Sequence, residues 1–572
     1  MRGRNRFWLL VILLCLLIAI MMINIWKMIY KDDDVYRVTG EYTNAYIIGN
    51  DKSRIQVLAD GERRYFKVRH LEQKLAGGIA DLQVLDGCVT KISLKKDTFH
   101  GKVTRITSDA IEVEGYGTIS LKEDFKAYRK IRDIDTAEKE DLILGYDIAS
   151  FYLEQDKICA AVITKTVHPV KIRVLLNNTD YLGKYHDAVT VSSDAGFVVK
   201  AEDGKLLEKK DPGELFSLKQ NIIEEQEKLV IESTDSNKPL KVLSINRAEG
   251  SPEYLGTLEV TKEADGYLLV NEVDLESYLK GVVVSEMPSS FPKKALEVQA
   301  ICARTYAYRQ IMANALKEYG AHLDDSTSSQ VYNNISHTKE ADDAVDATNG
   351  KVITSHDQPI EAFFFSTSCG VMTDETIWGK DNIPYLTGKW MGKEENLNLQ
   401  KNEDFDTFIK KKYDCYDSSY PLFRWSFSIS KQEIEKRANQ ILEKEIGDIK
   451  NISIVKRGVL GIALELLVEG EKAEASISGE LKIREFLAPV QIPVTLADGT
   501  TREDQKLMSS AYITIEKGER DTYHIYGGGY GHGVGMSQNA VKTMADEKMS
   551  VKEMIEFFYD DVAITQLYHN TN

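Results

Sequence analysis

Two places in this 572-residue chain hold residue types that could do chemistry: a glutamate in an apolar helical stripe, and a glycine-crowded loop around a histidine. Leu275, Leu279, Val282 and Val283 recur at the three-and-four spacing of one helical face. Glu286 falls three residues past Val283, four past Val282 and seven past Leu279, so a helix that holds this far sets a carboxylic acid in an apolar stripe. Burial disfavours a carboxyl's charged form and raises its pKa, which a general acid needs near neutrality. The bland reading stands beside this one: a helix-end carboxylate that caps the next helix or pairs with a lysine. The positive end of a following helix would also lower the pKa. The second place, GGGYGHGVGMSQ at 527–538, has glycines at 527, 528, 529, 531, 533 and 535. Glycine permits positive φ and close backbone approach. His532, Ser537 and Gln538 emerge from this loop, and Ser537 can cap a helix after it. A phosphate cradle would also use such a loop, but neither a GK[ST] ending nor the GxGxxG-plus-acid context is present. A third, weaker feature is the row Ser366, Thr367, Ser368 and Cys369, ended by Gly370. It makes a polar mouth at a strand end that can hydrogen-bond a sugar, or an ordinary Ser/Thr turn.

The elements that must position these groups follow from periodicity. A hairpin around Ala264-Asp265-Gly266 delivers the chain to Asp274. One helix then runs to a break at Met287-Pro288, and a second runs to about Lys317, with Ser289 or Ser290 as its cap and Pro292 in its first turn. Ala295, Ala300, Ala303 and Ala307 allow close packing on that helix, and Gln299 and Arg304 add polar groups. DSTSSQVYNN at 325–334 is polar loop material. KEADDAVDATNG reads as a short helix ended by Gly350, and KVITSHDQPIEAFFFST as two strands. Residues 386–500 read as an elaboration: an amphipathic helix in SKQEIEKRANQILEKEI, a strand-turn-strand in NISIVKRGVLGIALELLVEG, and a short helix in SGELKIREFL.

Upstream, residues 31–166 alternate in short apolar runs broken by Gly, Asn and Asp, which predicts one or two small β-domains, barrel-like, acting as a spacer or wall-binding unit. Residues 1–30 differ. Phe7 to Trp26 is apolar apart from Asn24, long enough to span a bilayer. Arg2, Arg4 and Arg6 precede it, which predicts a retained signal anchor with a cytoplasmic N-terminus and the bulk of the chain outside. The chain carries −17, and residues 1–31 contain five basic residues and no acid, so the outer part is more acidic still. That argues against nucleic acid as a partner. Of six cysteines, Cys15 lies in the apolar run, and the other five are too sparse for a disulfide framework. No CxxC or HExxH occurs, and nothing calls for a metal or cofactor. Cys369 and Cys415 are the pair considered for one disulfide, which would tie the elaboration to the polar mouth. Unpaired thiols, or a zinc site shared with histidine, are the alternatives.

YLKGVVVSEMPSSFPKKALEVQAICARTYAYR resembles the signature of the stage II sporulation protein D (SpoIID) family, shared with the amidase-enhancer proteins of bacterial cell walls. RAEGSPEYLGTLEV at 247–260, DSTSSQVYNN, GKVITSHDQPIEAFFFSTSCG at 350–370 and GGGYGHGVGMSQ continue the resemblance in order. It implies a mixed α+β domain over 167–565, with a core signature at 247–370 and a closing motif at 527–545. It also implies lytic transglycosylase activity on peptidoglycan glycan strands, with Glu286 at the family's catalytic acid. The glycan would be held by Gln299, Arg304, Ser366, Ser368, His532, Ser537 and Gln538. Other wall hydrolases or an amidase are the partners it suggests, and a non-catalytic amidase enhancer is the rival role. Asn539 and Ala540 depart from the family, which usually has an aromatic residue and a glycine there. The expected class is thus α+β: a membrane-anchored, β-rich spacer followed by a SpoIID-like catalytic domain.

Overall fold

The computed structural model describes residues 38–567, apart from 70–72, 219–227, 248, 334–335, 444, 504 and 520. The predicted anchor at 7–26 lies outside the described residues; no described helix is long and apolar enough to cross a membrane.

The architecture is mixed α+β and strand-rich. Strands Gly40–Asn50, Arg54–Ala59, Glu62–Lys67, Ile79–Leu85 and Cys88–Leu94 close a small barrel around Ile47, Ile55, Val57, Phe66 and Leu82. Its tight turn at Asp60-Gly61 takes positive φ at both residues, the geometry that suits strand twist in a two-residue hairpin. A seven-stranded sheet follows between Thr98 and Ile163. The predicted β-rich stretch is thus two sheets.

The next sheet has the spatial order 206–210, 197–201, 228–233, 257–263, 266–274, 171–175, 323–324. At its heart Arg173 donates to Glu259 (2.7 Å) and Glu272 (2.6 Å). Lys228 pairs with Glu259 and with Glu112 of the preceding sheet, and Lys102, just before that sheet's strand Val103–Ile106, reaches Glu272 at 3.2 Å. Charges this deeply buried persist only when paired. The cluster therefore fastens the upstream sheet to the domain that carries the site. The predicted hairpin is present: Glu263 pairs Gly266 across the turn, and the second strand ends at Asp274.

Helix α1 (Leu275–Glu286) opens with the Asp274 carboxylate accepting the Ser277 N–H at 2.9 Å. Leu275, Leu279, Val282 and Val283 are all buried, and the helix holds to Glu286 as its periodicity requires. Met287 is extended because Pro288 follows. Helix α2 (Lys293–Ala313) starts after Pro292, with no side-chain cap. The expected serine cap is replaced by a turn in which the Phe291 N–H donates to Pro288 O, and the helix stops at Asn314 in the left-handed region rather than near Lys317. Ala295, Ala300, Ala303 and Ala307 are fully buried, and α2 packs against α1 and against helices α3 (Lys339–Ala347), α7 (Gln538–Asp546) and α8 (Val551–Phe558).

The elaboration comprises α4 (Asn402–Lys410), α5 (Lys431–Leu442), a three-stranded sheet between Ile449 and Ser478, and α6 (Glu480–Phe486). It is built into the site domain. Strand Trp425–Ser430 pairs in register with Thr522–Gly527, the strand that feeds the glycine-rich loop.

Candidate active site

Glu286 ends α1 with part of its surface open to solvent, while its carboxyl sits in a desolvated recess. Oε1 accepts the Val331 backbone N–H at 2.7 Å, and Oε2 accepts from Gln538 Nε2 at 3.3 Å. Both donors are neutral. Burial pushes the pKa up to about 7, and these two hydrogen bonds only partly oppose it. The helix-cap and lysine-pair readings are not what the structure shows: Glu286 caps nothing, and no cation pairs with it among the described residues.

Each donor has its own support. Val331 belongs to the polar loop after strand Leu323–Asp324. The loop is anchored by Asp325, which accepts from Arg247 (2.7 Å) and the Asn177 amide (2.9 Å), and by Gln330, which donates to the Tyr278 hydroxyl. Gly281 lets the loop come this close. A Cβ there would lie 2.6 Å from the Tyr332 ring. Gln538 opens α7, and its Nε2 also reaches Gln299 Oε1 at 3.3 Å. Strand Met536–Ser537 pairs in parallel with Phe364–Phe365, so α7 starts from a fixed strand. Gly535, at φ +77, is obligatory there, because a Cβ would lie 2.1 Å from Phe363 O.

The expected glycan-holding residues divide. Gln538 meets the Glu286 carboxyl, and Gln299 holds Gln538. Ser366 is half-buried beside Thr367 and Asn539, whose amide donates to Thr367 Oγ1 at 2.8 Å. The unusual Asn539 thus anchors the polar mouth. Ser368 and Ser537 instead turn inward: both donate to the buried Asp417, at 2.6 and 2.7 Å. Ser537 also caps α7, as expected from sequence. His532 has both ring nitrogens engaged by backbone, Nδ1 accepting from Val534 N–H and Nε2 donating to Phe364 O. Burial, then the nearby Arg484, lowers its pKa to about 4, so it is neutral and offers a ring face rather than a hydrogen bond. Arg304 is fully buried. It grips Glu276 of α1 in a bidentate pair (2.8 and 2.6 Å) and bonds Val345 O and Lys351 O, so it joins helices and does not face the cleft.

Cys369 and Cys415 are free thiols, not a disulfide. Burial pushes both up to about 12, with the nearby Asp417 carboxylate raising both and Arg424 opposing it. No cluster of three or more metal-ligating side chains exists among the described residues, so the zinc alternative finds no donor set.

Asp417 was not legible in the sequence. Burial raises its pKa to about 6, against the two serine hydroxyls. It comes from the elaboration, and its partners lie 49 and 120 residues away in the chain, beyond any local pattern. By holding Ser537 it fixes the residue before Gln538, and so the donor to Glu286.

The fold and site define a mixed α+β protein with one buried carboxyl at the end of an apolar helix, held by uncharged donors. Residues 263–355 match the family model "Stage II sporulation protein", and 373–535 match a domain of unknown function, DUF8618. Stage II sporulation protein D of Bacillus subtilis (strain 168) is 28% identical over 311 residues, 52% of this chain and 76% of that protein. An uncharacterized protein of Brachyspira hyodysenteriae is 30% identical over 325 residues, 56% and 74% of the two chains. The Amidase enhancer of Bacillus subtilis is 27% identical over 302 residues, 50% of this chain and 40% of that one. The chain belongs to the SpoIID family, which is involved in cell-wall processing and sporulation.

Proposed function

We propose that the chain is a peptidoglycan lytic transglycosylase that cleaves the bond between N-acetylmuramic acid and N-acetylglucosamine. The observation that carries this is the Glu286 carboxyl, poised near pH 7 and held by two neutral donors. The protonated carboxyl donates to the glycosidic oxygen as the bond from muramic acid C1 breaks. The resulting carboxylate takes the proton of the same sugar's 6-hydroxyl as O6 bonds to C1. A 1,6-anhydro ring closes, no water is consumed and Glu286 ends protonated. One carboxylate suffices, unlike the acid–nucleophile pairs of ordinary glycosidases. Val331 N–H and Gln538 hold the carboxylate between the two proton transfers without the permanent ionisation an arginine would impose. The reading includes a membrane anchor at 7–26 and an extracytoplasmic site domain.

A second reading is a wall protein that enhances or recruits an amidase without cleaving glycan; the match to a protein named Amidase enhancer favours it. The test is product analysis. Purified chain is incubated with glycan strands, with and without stem peptides, and the muropeptides are resolved by mass. Anhydro-ended products absent from Glu286→Gln digests support the transglycosylase. Intact strands under all conditions would refute it and leave the enhancer reading.

A further inference from the structure

Trp378 ends a short 3-10 turn (Glu375–Trp378) in the region matched to the domain of unknown function, and it is 37% exposed. It does not stand alone. Phe363 and His532 meet it edge-on at ring-centroid distances of 5.1 and 5.3 Å. Exposed Lys380 places its ammonium 5.5 Å from the Phe363 ring centre and 5.9 Å from that of Trp378, and makes no ion pair among the described residues. The turn is fastened to the glycine-rich loop by the Thr373 N–H, which donates to Gly533 O at 2.8 Å. From beneath, the Trp378 indole N–H and Arg484 favour the ionised form of buried Glu480, whose pKa burial raises. The ring is therefore oriented by its buried edge, with Lys380 over it and about a third of its surface open to solvent.

This platform shares a frame with Glu286. Phe363 packs 6.2 Å from Tyr306, whose phenol pKa is raised by burial first and then by carboxylates that include Glu286. Phe363 O accepts from Met536 N–H (3.0 Å) and from the Tyr559 hydroxyl (2.7 Å), and Met536 begins the strand that delivers Gln538.

We propose that Trp378, Phe363 and Lys380 form a saccharide subsite for a carboxylated sugar next to the Glu286 cleft. An open indole face with a rigid edge suits the apolar face of a pyranose ring. An exposed ammonium beside it, in no ion pair among the described residues and with only Glu375 acting on it from a distance, suits a carboxylate, and muramic acid carries one on its lactyl ether where N-acetylglucosamine has only a hydroxyl. The region matched to a domain of unknown function thus contributes a substrate-reading surface. The subsite rests on the glycan reading of the Glu286 site and extends it to which sugar sits where.

The test uses the full chain in a Glu286→Gln background, which binds without turnover. Calorimetric titration compares two probes: chitotetraose, and a peptide-free peptidoglycan tetrasaccharide with its lactyl carboxylates. Trp378→Ala should weaken both by about tenfold, a change of ~1.4 kcal/mol, and Trp378→Phe should restore most of it, which excludes misfolding. Lys380→Gln should weaken only the carboxylated probe, severalfold, and added salt should erase that difference. If the parent binds and Trp378→Ala binds as tightly, the subsite is overturned while the glycan reading stands. Equal losses on both probes for Lys380→Gln would overturn the carboxylate assignment. Should the variants lose binding while the wild-type chain yields no anhydro products, the subsite stands and the transglycosylase reading falls. If the parent binds neither probe, both fall.

Discussion

Replacing Glu286 by glutamine should stabilise the protein, and by an amount that depends on pH. Its carboxyl has an ordinary pKa of 4.5 in the unfolded chain and about 7 in the folded one. A folded pKa raised above the unfolded value means that the native state binds the proton more tightly. Stability contributed by that proton is present at low pH and is lost as pH rises through the window from 4.5 to about 7. Above it, the native state holds an ionised carboxylate in a desolvated recess, at a cost of about 3 kcal/mol, since one pKa unit is about 1.4 kcal/mol. Glutamine cannot ionise, keeps the shape, and can still accept the Val331 N–H. Glu286→Gln should therefore match the wild type in stability near pH 4 and exceed it by up to about 3 kcal/mol at pH 8. The assay is chemical denaturation of both proteins across that range, followed by tryptophan fluorescence. A variant no more stable than wild type at pH 8, or one whose advantage is as large at pH 4, would refute the assignment of a strained, proton-retaining carboxyl. This outcome is read without substrate, so it is independent of what the site cleaves.

The same pKa predicts glycan cleavage that falls as pH rises above about 7, where the acid is no longer protonated; a flat rate from pH 6 to 9 would remove Glu286 as general acid. Asp417→Ala leaves the Ser368 and Ser537 hydroxyls without their acceptor, and should cost roughly 2–3 kcal/mol while lowering kcat more than it raises KM; cleavage kinetics beside a denaturation curve check both. Arg304→Ala removes the guanidinium that pairs with Glu276 and bonds Val345 O and Lys351 O at the α1–α2–α3 junction, and should cost about 3–5 kcal/mol, with glycan affinity of the folded fraction unchanged; a selective loss of affinity would return Arg304 to the cleft. Gly535→Ala forces a Cβ against Phe363 O at positive φ and should abolish cleavage and lower thermal stability together.

The amino-acid order fixed what is local or periodic. The α1 stripe, its end at a proline, the hairpin before it and the Ser537 cap all follow from interactions within a few residues, and each is present. The ordered motifs placed the chain in its family and picked out Glu286, because a carboxyl on an apolar face is visible at a spacing of three and four. The β-rich upstream half was legible as strands, but its division into a closed barrel and a separate sheet was not, since strand pairing is set by distant partners. Tertiary structure alone decided which polar residues face the cleft. Arg304 looked like a ligand for glycan, but a buried guanidinium needs a carboxylate, and Glu276 on the neighbouring helix supplies one. His532 was expected among the residues that hold glycan, but Val534 N–H of its own loop and Phe364 O of the facing strand engage both its nitrogens. Asp417 and Val331 carry no signal of their own in the chain. They act on Gln538 and Glu286 only because packing brings together segments 45 to 120 residues apart, and the burial that results raises the Glu286 pKa.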